Sequence, residues 1–385
     1  MHNTLLLVIV VSVALAFDFT NGFHDTANAV APAIATGALK PRMAVALSSV
    51  FNLVGAFLSL KVAATIASAL VAQNLVTLPV IFAGLIGAIA WNVTTWYFAI
   101  PSSSSHALIG GVIGAMLVLG GGHSVLWSGL VSKVIIPAGL APFVALVAAG
   151  VALYSARRLT AKVDRATSTL GYRVGQIGSS SLLSIAHGTN DAQKTMGIVT
   201  LALIANGTLS SNAATPAWVV LSCAVAIGLG TFFGGWRIIR TMGKGFTYLT
   251  PQQGFAAQIA SSAVILTSSH MGLPLSTTHV ATGSIVGVGV AMPSQPVRWR
   301  LVRDVALAWV ITLPAAGLFG AFSYYVAHVI GGTFGVVVLA LVAAAYATFL
   351  VRRSRRSVVN ATNVNDVWGE PEPSEPLEVK TVVAA

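Results

Sequence analysis

The chain has 385 residues, of which 56% are hydrophobic and 8% are charged, and its mean hydropathy is +0.84. A soluble domain carries about 25% charged residues, so this composition excludes one and indicates an integral membrane protein. The net charge of +11 does not indicate nucleic-acid binding, because the basic residues gather in short clusters between apolar segments. The single cysteine, Cys223, excludes a disulfide framework.

Apolar segments follow one another along both halves of the chain. The first resembles the core of a signal peptide over residues 5–16, but no Lys or Arg precedes it, so we expect a membrane helix. The segments cover residues 4–36, 43–60, 62–72, 78–99, 102–119, 134–154, 177–205, 216–236, 252–269, 274–292, 304–327 and 329–351. Because a helix of about 20 residues spans a bilayer, some segments can cross it and others are half-spans or re-entrant pieces. We expect an all-α polytopic membrane protein with roughly 10–12 transmembrane segments.

Basic clusters divide the chain into regions. A linker at residues 155–175 separates a first transmembrane repeat, residues 1–154, from a second, residues 176–351, and the positive-inside rule predicts that the linker is cytoplasmic. Three later clusters are expected on the same side, at residues 237–244, 298–303 and 352–356. Residues 352–385 form the last region, in which a tail from residue 357 has too little apolar sequence to fold and is expected to be disordered.

A polar motif interrupts the apolar sequence once in each half. Residues 21–28 read N-G-F-H-D-T-A-N and residues 187–194 read H-G-T-N-D-A-Q-K, which places Asp25 on Asp191 at an offset of 166. A carboxylate is costly in a hydrocarbon-facing segment, and of the acidic residues only these two and Asp18 lie inside apolar stretches. Neither motif aspartate is therefore explained by packing.

A second motif is also repeated. Residues 101–110 read P-S-S-S-S-H-A-L-I-G and residues 274–283 read P-L-S-T-T-H-V-A-T-G, at an offset of 173. Matching interruptions in two hydrophobic halves are typical of secondary transporters, whose substrate site lies between inverted repeats. The pattern therefore predicts two inverted-topology repeats with broken or re-entrant helices.

The second motif places hydroxyl groups where helices are expected to begin. Hydroxyls beside the unpaired amides of a helix start, at the positive end of the helix dipole, form a suitable site for an oxyanion. The alternative is that they only cap the helices, but their occurrence at matching positions favours substrate contact. The predicted substrate contacts are Ser103, Ser104, Ser105, Ser276, Thr277 and Thr278.

The motif aspartates are predicted to contact substrate and to couple its transport to a cation. A bare carboxylate repels an anion, so Asp25 and Asp191 would favour binding only with a proton or cation on each, which links the two ligands. The alternative is that they cap helices broken at Gly22 and Gly188, where glycine allows the backbone to turn.

Other polar residues of the first motif complete the predicted site. Asn28 and Asn190 are expected to offer amide contacts, and Lys194 is expected to attract the anion or to replace a bound sodium ion, unless it snorkels to the surface. His24 is the candidate proton relay. His187 and Asp191 alone offer too few ligands for a tightly held metal, so we predict no protein-bound metal and no cofactor.

These motifs resemble those of the inorganic phosphate transporters of the Pit type. The similarity runs from residue 4 to residue 351, includes W-N-V-T-T-W-Y at residues 91–97, and is strongest for the bacterial low-affinity branch. It implies a symporter in the bacterial plasma membrane, with inverted repeats, broken helices that meet near the middle of the bilayer, and a homodimer.

Three positions depart from the general family pattern. His24 replaces the usual asparagine of the first motif, and Gln193 and Lys194 replace Ala and Asn in the second. Because sodium-coupled relatives use such oxygen-bearing positions around their ions, the change to histidine and lysine favours protons as the coupling ion.

We therefore predict a secondary-active symporter that imports inorganic phosphate with protons by alternating access, either as free phosphate or as a neutral divalent-metal complex. Sodium coupling and sulfate transport are the alternatives within the family. An intramembrane hydrolase could use Ser, His and Asp, but no G-x-S-x-G or H-E-x-x-H context is present, so we expect no enzyme. An anion channel could be lined by helix starts, but paired acidic residues disfavour it.

Overall fold

A computed structural model describes residues 3–292 and 296–366, and this part of the chain is almost entirely helical. The predicted all-α fold is confirmed, and the extended backbone amounts to one isolated bridge between Val71 and Val125 in the described residues. The helices are α1 (Thr4–Ala35), α2 (Pro41–Gly55), α3 (Lys61–Ser68), α4 (Leu78–Tyr97), α5 (Ser104–Gly120), α6 (Trp127–Leu130), α7 (Ile136–Leu159), α8 (Arg165–Ala205), α9 (Ala217–Phe233), α10 (Trp236–Arg240), α11 (Pro251–His270), α12 (Thr277–Val290), α13 (Trp299–Ile330) and α14 (Gly332–Ser354).

Local sequence signals set many helix ends. Asn3 accepts a hydrogen bond from a backbone amide in the first turn of α1, and Thr250 and Gln253 form a capping box at the start of α11. Gly37 and Gly207 follow the C-caps of α1 and α8 with φ of 68° and 75°, a conformation that a side chain disfavours. The two long motif helices therefore end in the same way.

The motif helices α1 and α8 are antiparallel. At one end, the amide of Asn3 donates to Oδ1 of Asn206, just after α8, at 3.1 Å. At the other end, the hydroxyl of Thr36, just after α1, donates to Oε1 of Gln176 in the N-terminal part of α8, at 2.8 Å. The two halves run in opposite directions, which is the inverted arrangement that the sequence predicted.

Glycines allow helices of the two repeats to cross so closely that their backbones are in contact. A Cβ added to Gly110 of α5 would lie 2.3 Å from the carbonyl oxygen of Leu313 in α13. Its counterpart in the second repeat, Gly283 of α12, would place one 2.4 Å from the carbonyl oxygen of Pro142 in α7. Each hydroxyl-rich helix is thus held by a long outer helix of the other repeat.

Six helical units in the described part are long and apolar enough to span a membrane, and the α9–α10 pair, bent by 63°, makes seven. This is fewer than the roughly 10–12 segments expected, because α8 and α11 carry many polar residues and α2, α3 and α12 are shorter than a span. The outer helices α7 and α13 expose large apolar side chains, among them Phe143, Val310 and Leu318, as expected for contact with lipid.

The hydroxyl-rich helices α5 and α12 belong to two hairpins that enter from opposite faces. The turn between α4 and α5 lies on the basic face, where Arg237 donates to the carbonyl of Tyr97 at 3.0 Å. Helix α11 instead begins near this face, where Gln252 donates to Thr160 of the linker at 3.3 Å, and its turn into α12 lies at the far end. The starts of α5 and α12 approach each other inside the molecule, where Ser104 of α5 and Thr278 of α12 both contact Asp25.

The C-terminal basic clusters meet on one face, as expected of clusters that share one side of the membrane. Arg237 also donates to the carbonyl of Ser357 at 2.7 Å, which brings the end of α14 to α10. Residues 358–366 continue over this face: Arg240 donates to the carbonyl of Asn363 at 2.6 Å, and Val364 is buried in the apolar core. The expected disorder therefore does not hold for residues 357–366, and the remainder of the predicted tail lies outside the described residues.

Candidate functional site

One hydroxyl of each run caps a helix. Ser103 accepts a hydrogen bond from the amide of His106 at 3.2 Å, and Ser276 accepts one from the amide of His279 at 3.3 Å. These two serines act as ordinary N-caps, as the alternative interpretation held. The hydroxyls that follow them in each run face other partners.

Asp25 lies inside the continuous helix α1 and caps no helix end. One oxygen, Oδ2, accepts a hydrogen bond from Ser104 of α5, and the Ser104 hydroxyl also lies 2.7 Å from Oδ1 of Asn21. The other oxygen lies 2.7 Å from Nδ1 of His24 and 3.4 Å from the Thr278 hydroxyl of α12. The carboxylate is buried between helix starts of both repeats.

Asp191 repeats this arrangement in α8. Its Oδ2 accepts a hydrogen bond from Thr277 of α12 at 2.9 Å and lies 2.8 Å from Nε2 of His187. Its Oδ1 accepts one from the ammonium group of Lys194. Because α8 is continuous through the motif, the alternative of an aspartate that caps a broken helix is wrong for both residues.

A second pair of contacts crosses between the repeats. The amide of Asn28 in α1 donates to the Thr278 hydroxyl of α12 at 3.0 Å. Lys194, which is the equivalent residue of α8, donates to the Ser105 hydroxyl of α5 and to the carbonyl of Leu275 at 2.7 Å. Lys194 is only 1% exposed, so it does not snorkel to the surface but places its ammonium group between the two helix starts.

The fold brings the two motif aspartates together. One ligand atom from each of Asp25, His187 and Asp191 lies within 4.8 Å of the other two, and all three residues are buried. Sequence reasoning counted only two ligands here, and the fold supplies the third. A cation in this cluster would share its carboxylates with the ammonium group of Lys194, which already bonds to Asp191.

Two polar residues of the second motif, Asn190 and Gln193, lie beside the cluster and bond to neighbouring segments. Asn190 donates to the hydroxyl of Ser269 at 2.8 Å and to the carbonyl of Leu273 at 3.3 Å, so its amide group braces the turn that leads to α12. Gln193 accepts a hydrogen bond from the amide of Val62 at 2.9 Å and thereby caps α3. The amide nitrogen of Asn190 therefore does not face the aspartates.

Sequence reasoning missed the outer partners of the motif histidines. The Thr95 hydroxyl of α4 lies 3.0 Å from Nε2 of His24, and Oδ1 of Asn52 in α2 lies 3.0 Å from Nδ1 of His187. Each imidazole therefore connects an aspartate to a helix outside the motifs. Thr95 belongs to the segment W-N-V-T-T-W-Y at residues 91–97, and Asn52 is a polar residue in a largely apolar segment, but neither pattern indicates a histidine partner.

The remaining pair of motif histidines makes structural contacts. The rings of His106 and His279 meet edge to face with centroids 4.9 Å apart, and His279 stacks on Trp309 at 4.1 Å. Nδ1 of His279 also lies 3.2 Å from the carbonyl oxygen of Ala138. These contacts join α5, α12, α13 and α7 directly behind the helix starts.

Residues 21–320 match the phosphate transporter family. A protein of Mycobacterium leprae named as a probable low-affinity inorganic phosphate transporter is 54% identical over 369 residues, which cover 95% of this chain and 89% of the relative. A protein of Bacillus subtilis with the same name is 44% identical over 331 residues, covering 85% and 98%. The fold is similar to a solved structure described as the sodium-dependent phosphate transporter, with a TM-score of 0.71 and 23% identity over 85% of this chain and 100% of that one.

Proposed function

Because this chain belongs to the phosphate transporter family, we propose that it is a secondary-active symporter that imports inorganic phosphate with protons by alternating access. It is a multi-pass membrane protein, and its named relatives come from bacteria. The observation that carries the proposal is that two hydroxyl-rich helix starts from inverted repeats converge on the same pair of buried aspartates. The relatives are transporters, which agrees with the expectation that the chain is not an enzyme.

The aspartates hold the groups that a phosphate ion would use. Ser104 donates to Asp25 and Thr277 donates to Asp191, so phosphate must take these hydroxyls from the carboxylates in order to accept their hydrogen bonds. A buried carboxylate that loses its donors is costly unless it binds a proton. Phosphate binding and proton binding therefore favour each other, which is the thermodynamic requirement of a symporter.

Lys194 supports phosphate as the anion and protons as the coupling ion. Its buried ammonium group lies between the two helix starts, where it can pair with phosphate oxygens. At the same position it neutralises Asp191, so a sodium ion bound there would add like-charge repulsion and gain little. His24 opposes sodium at Asp25 in the same way whenever the imidazole is protonated.

A basic vestibule supports a route for the anion. A cavity of about 380 Å³ opens on the face where the basic clusters meet, and Pro101, just before the serine run, lies in its wall. Arg240, Lys244 and Arg298 also line it, together with Asp304 and Asp366, so its basic side chains outnumber its acidic ones and favour anions near the start of α5. We propose that phosphate leaves for the cytoplasm through this vestibule.

Sodium coupling is the second candidate, because the solved structure with the same fold is described as sodium-dependent. The cluster of Asp25, His187 and Asp191 offers two carboxylates and an imidazole to a cation. Lys194→Asn separates the two hypotheses: it should reduce proton-driven uptake strongly and introduce sodium dependence by freeing Asp191 for the ion. A variant that transports normally without sodium would remove the lysine from the mechanism.

The deciding experiment is uptake of radiolabelled phosphate into proteoliposomes with the proton and sodium gradients imposed separately. We expect accumulation with an inward proton gradient, collapse with a protonophore, and no change when potassium or choline replaces sodium. Competition by sulfate tests the substrate, and a divalent-metal chelator tests transport as a metal complex. A strict sodium requirement at constant pH and membrane potential would overturn proton coupling and leave phosphate transport standing.

A further inference from the structure

A third carboxyl group is buried in the same helix as Asp25. Asp18 lies seven residues earlier in α1, about 10 Å along the helix axis at 1.5 Å per residue, and its side chain is 0% exposed. One oxygen accepts a hydrogen bond from the hydroxyl of Thr195 at 2.8 Å. The other oxygen, Oδ2, has no hydrogen-bond partner among the residues that the structure describes.

Asp18 differs from the motif aspartates in its lack of a basic partner. Asp25 pairs with His24, and Asp191 pairs with His187 and Lys194, whereas the ion pairs of the described residues do not include Asp18. A buried anionic carboxylate with one donor and no cation is costly, whereas the protonated acid carries no charge to bury. The environment of Asp18 therefore suits a group that gains and loses a proton.

The charged and titratable groups around Asp18 come from two neighbouring helices. Asp191 and Lys194 of α8 and Cys223 of α9 interact with it electrostatically. Helix α4, which also packs against α1, carries no Asp, Glu, His, Lys or Arg, and the one such residue of α2 is Arg42 in its first turn. The charge of Asp18 therefore interacts mainly with the ion pair of Asp191 and Lys194 at the substrate site.

Two short connections join Asp18 to that site. Thr195, its hydrogen-bond donor, directly follows Lys194, which bonds to Asp191 and to the helix start of α5. On α1, Asn21 lies between Asp18 and Asp25 on one helix face, and its Oδ1 contacts the Ser104 hydroxyl. A change of charge at Asp18 therefore acts on both halves of the substrate site.

Asp18 has no counterpart in the second repeat. At the offset that places Asp25 on Asp191, the equivalent residue is Ser184, whose hydroxyl donates to Ser48 at 2.8 Å. The predicted substrate contacts occur in both repeats, whereas this carboxyl group occurs only in the first. Asp18 is therefore not one of the duplicated substrate contacts. We propose that Asp18 is a further proton-binding carboxyl group, additional to Asp25 and Asp191, that couples transport to the proton gradient, an inference that rests on the proposed proton–phosphate symport.

The test compares Asp18→Asn with the wild-type protein in proteoliposomes. An amide keeps the size of the acid and its ability to donate a hydrogen bond, but it cannot release a proton. We expect phosphate–phosphate exchange without a gradient to stay within about twofold of wild type, while accumulation falls to the external concentration. For each coupled proton, a gradient of one pH unit should give the wild type about tenfold accumulation.

Two further variants make the result specific. Asp164→Asn is the matched control, because Asp164 is an exposed N-cap of α8 and asparagine caps a helix equally well, so its exchange and accumulation should equal those of wild type. Thr195→Val removes the hydrogen bond that Thr195 donates to Asp18 and keeps the shape of the side chain. It should move the pH of half-maximal uptake upwards, whereas a purely structural role of Asp18 predicts no such shift.

Each result decides between the inferences. Normal accumulation by Asp18→Asn would overturn the assignment of Asp18 and leave the symport proposal intact. Loss of both exchange and accumulation in a variant that melts and elutes like wild type would show a structural or substrate-binding role and also overturn it. If the wild-type protein itself ignored the proton gradient, the proposed coupling would fail and the role of Asp18 would fail with it.

Discussion

Asp25 and Asp191 each hold, in the structure, the donors that an incoming oxyanion would need. Asp25→Asn and Asp191→Asn should therefore abolish concentrative uptake and also slow exchange, because an amide cannot take up the proton that compensates for the loss of those donors. Exchange is the measurement that separates them from Asp18→Asn, which should keep it. Thermal melting in detergent checks the fold, and near-normal accumulation by either variant would remove that aspartate from the mechanism.

The hydroxyl runs contain residues that bond to the aspartates and residues that cap helices, and alanine substitution can distinguish the two. Ser104→Ala and Thr277→Ala should weaken phosphate binding by roughly 1–3 kcal/mol if a buried partner is left unsatisfied. Ser103→Ala should instead lower protein stability by about 1 kcal/mol through loss of an N-cap, with a smaller effect on affinity. Isothermal titration and thermal melting measure the two effects, and equal affinity losses in all three variants would contradict the division. Arsenate should compete with phosphate, and chloride should not.

Helix packing, rather than a break in the chain, explains the motif glycines. A Cβ on Gly188 of α8 would lie 2.1 Å from the carbonyl oxygen of Asn52 in α2, and one on Gly22 of α1 would lie 2.4 Å from that of Ile227 in α9. These crossings position Asp25 and Asp191, because each glycine lies three residues before its aspartate in a continuous helix.

Gly188→Ala and Gly178→Ala, both in α8, test this explanation. The first should destabilise the protein by about 1–3 kcal/mol through overpacking and impair transport by moving Asp191. The second is the matched control, since nothing lies within 4 Å of its added Cβ, and it should be neutral or stabilising by up to about 1 kcal/mol. Melting temperatures measure the difference, and a tolerated Gly188→Ala would disprove the close crossing.

In the whole molecule, the proposed alternating access requires the site between the repeats to open to each side in turn. Ile100 lines the basic vestibule, and the native Cys223 is buried, so Ile100→Cys gives a reporter with low background. A membrane-impermeant maleimide should label it in inside-out vesicles and not in right-side-out ones. Phosphate together with a proton gradient should change the labelling rate, and a rate that is equal from both sides would contradict the assigned orientation.

The sequence by itself determined the properties that depend on composition and on neighbouring residues. Low charge content identified a membrane protein, the duplicated motifs identified inverted repeats and the family, and the proline–serine runs marked helix starts. These features are readable because an N-cap such as Ser103 bonds only three residues ahead, and a repeat is visible as spacing.

Only the tertiary structure decided which side chain meets which. The bond from Lys194 to Ser105, the turn of Asn190 towards Ser269, and the lack of an ion pair at Asp18 within the described residues all depend on residues far apart in sequence. Such contacts follow from how antiparallel helices cross, and the periodicity of a single helix does not encode that crossing. The sequence therefore identified the polar residues, and the packing of the two repeats assigned their partners.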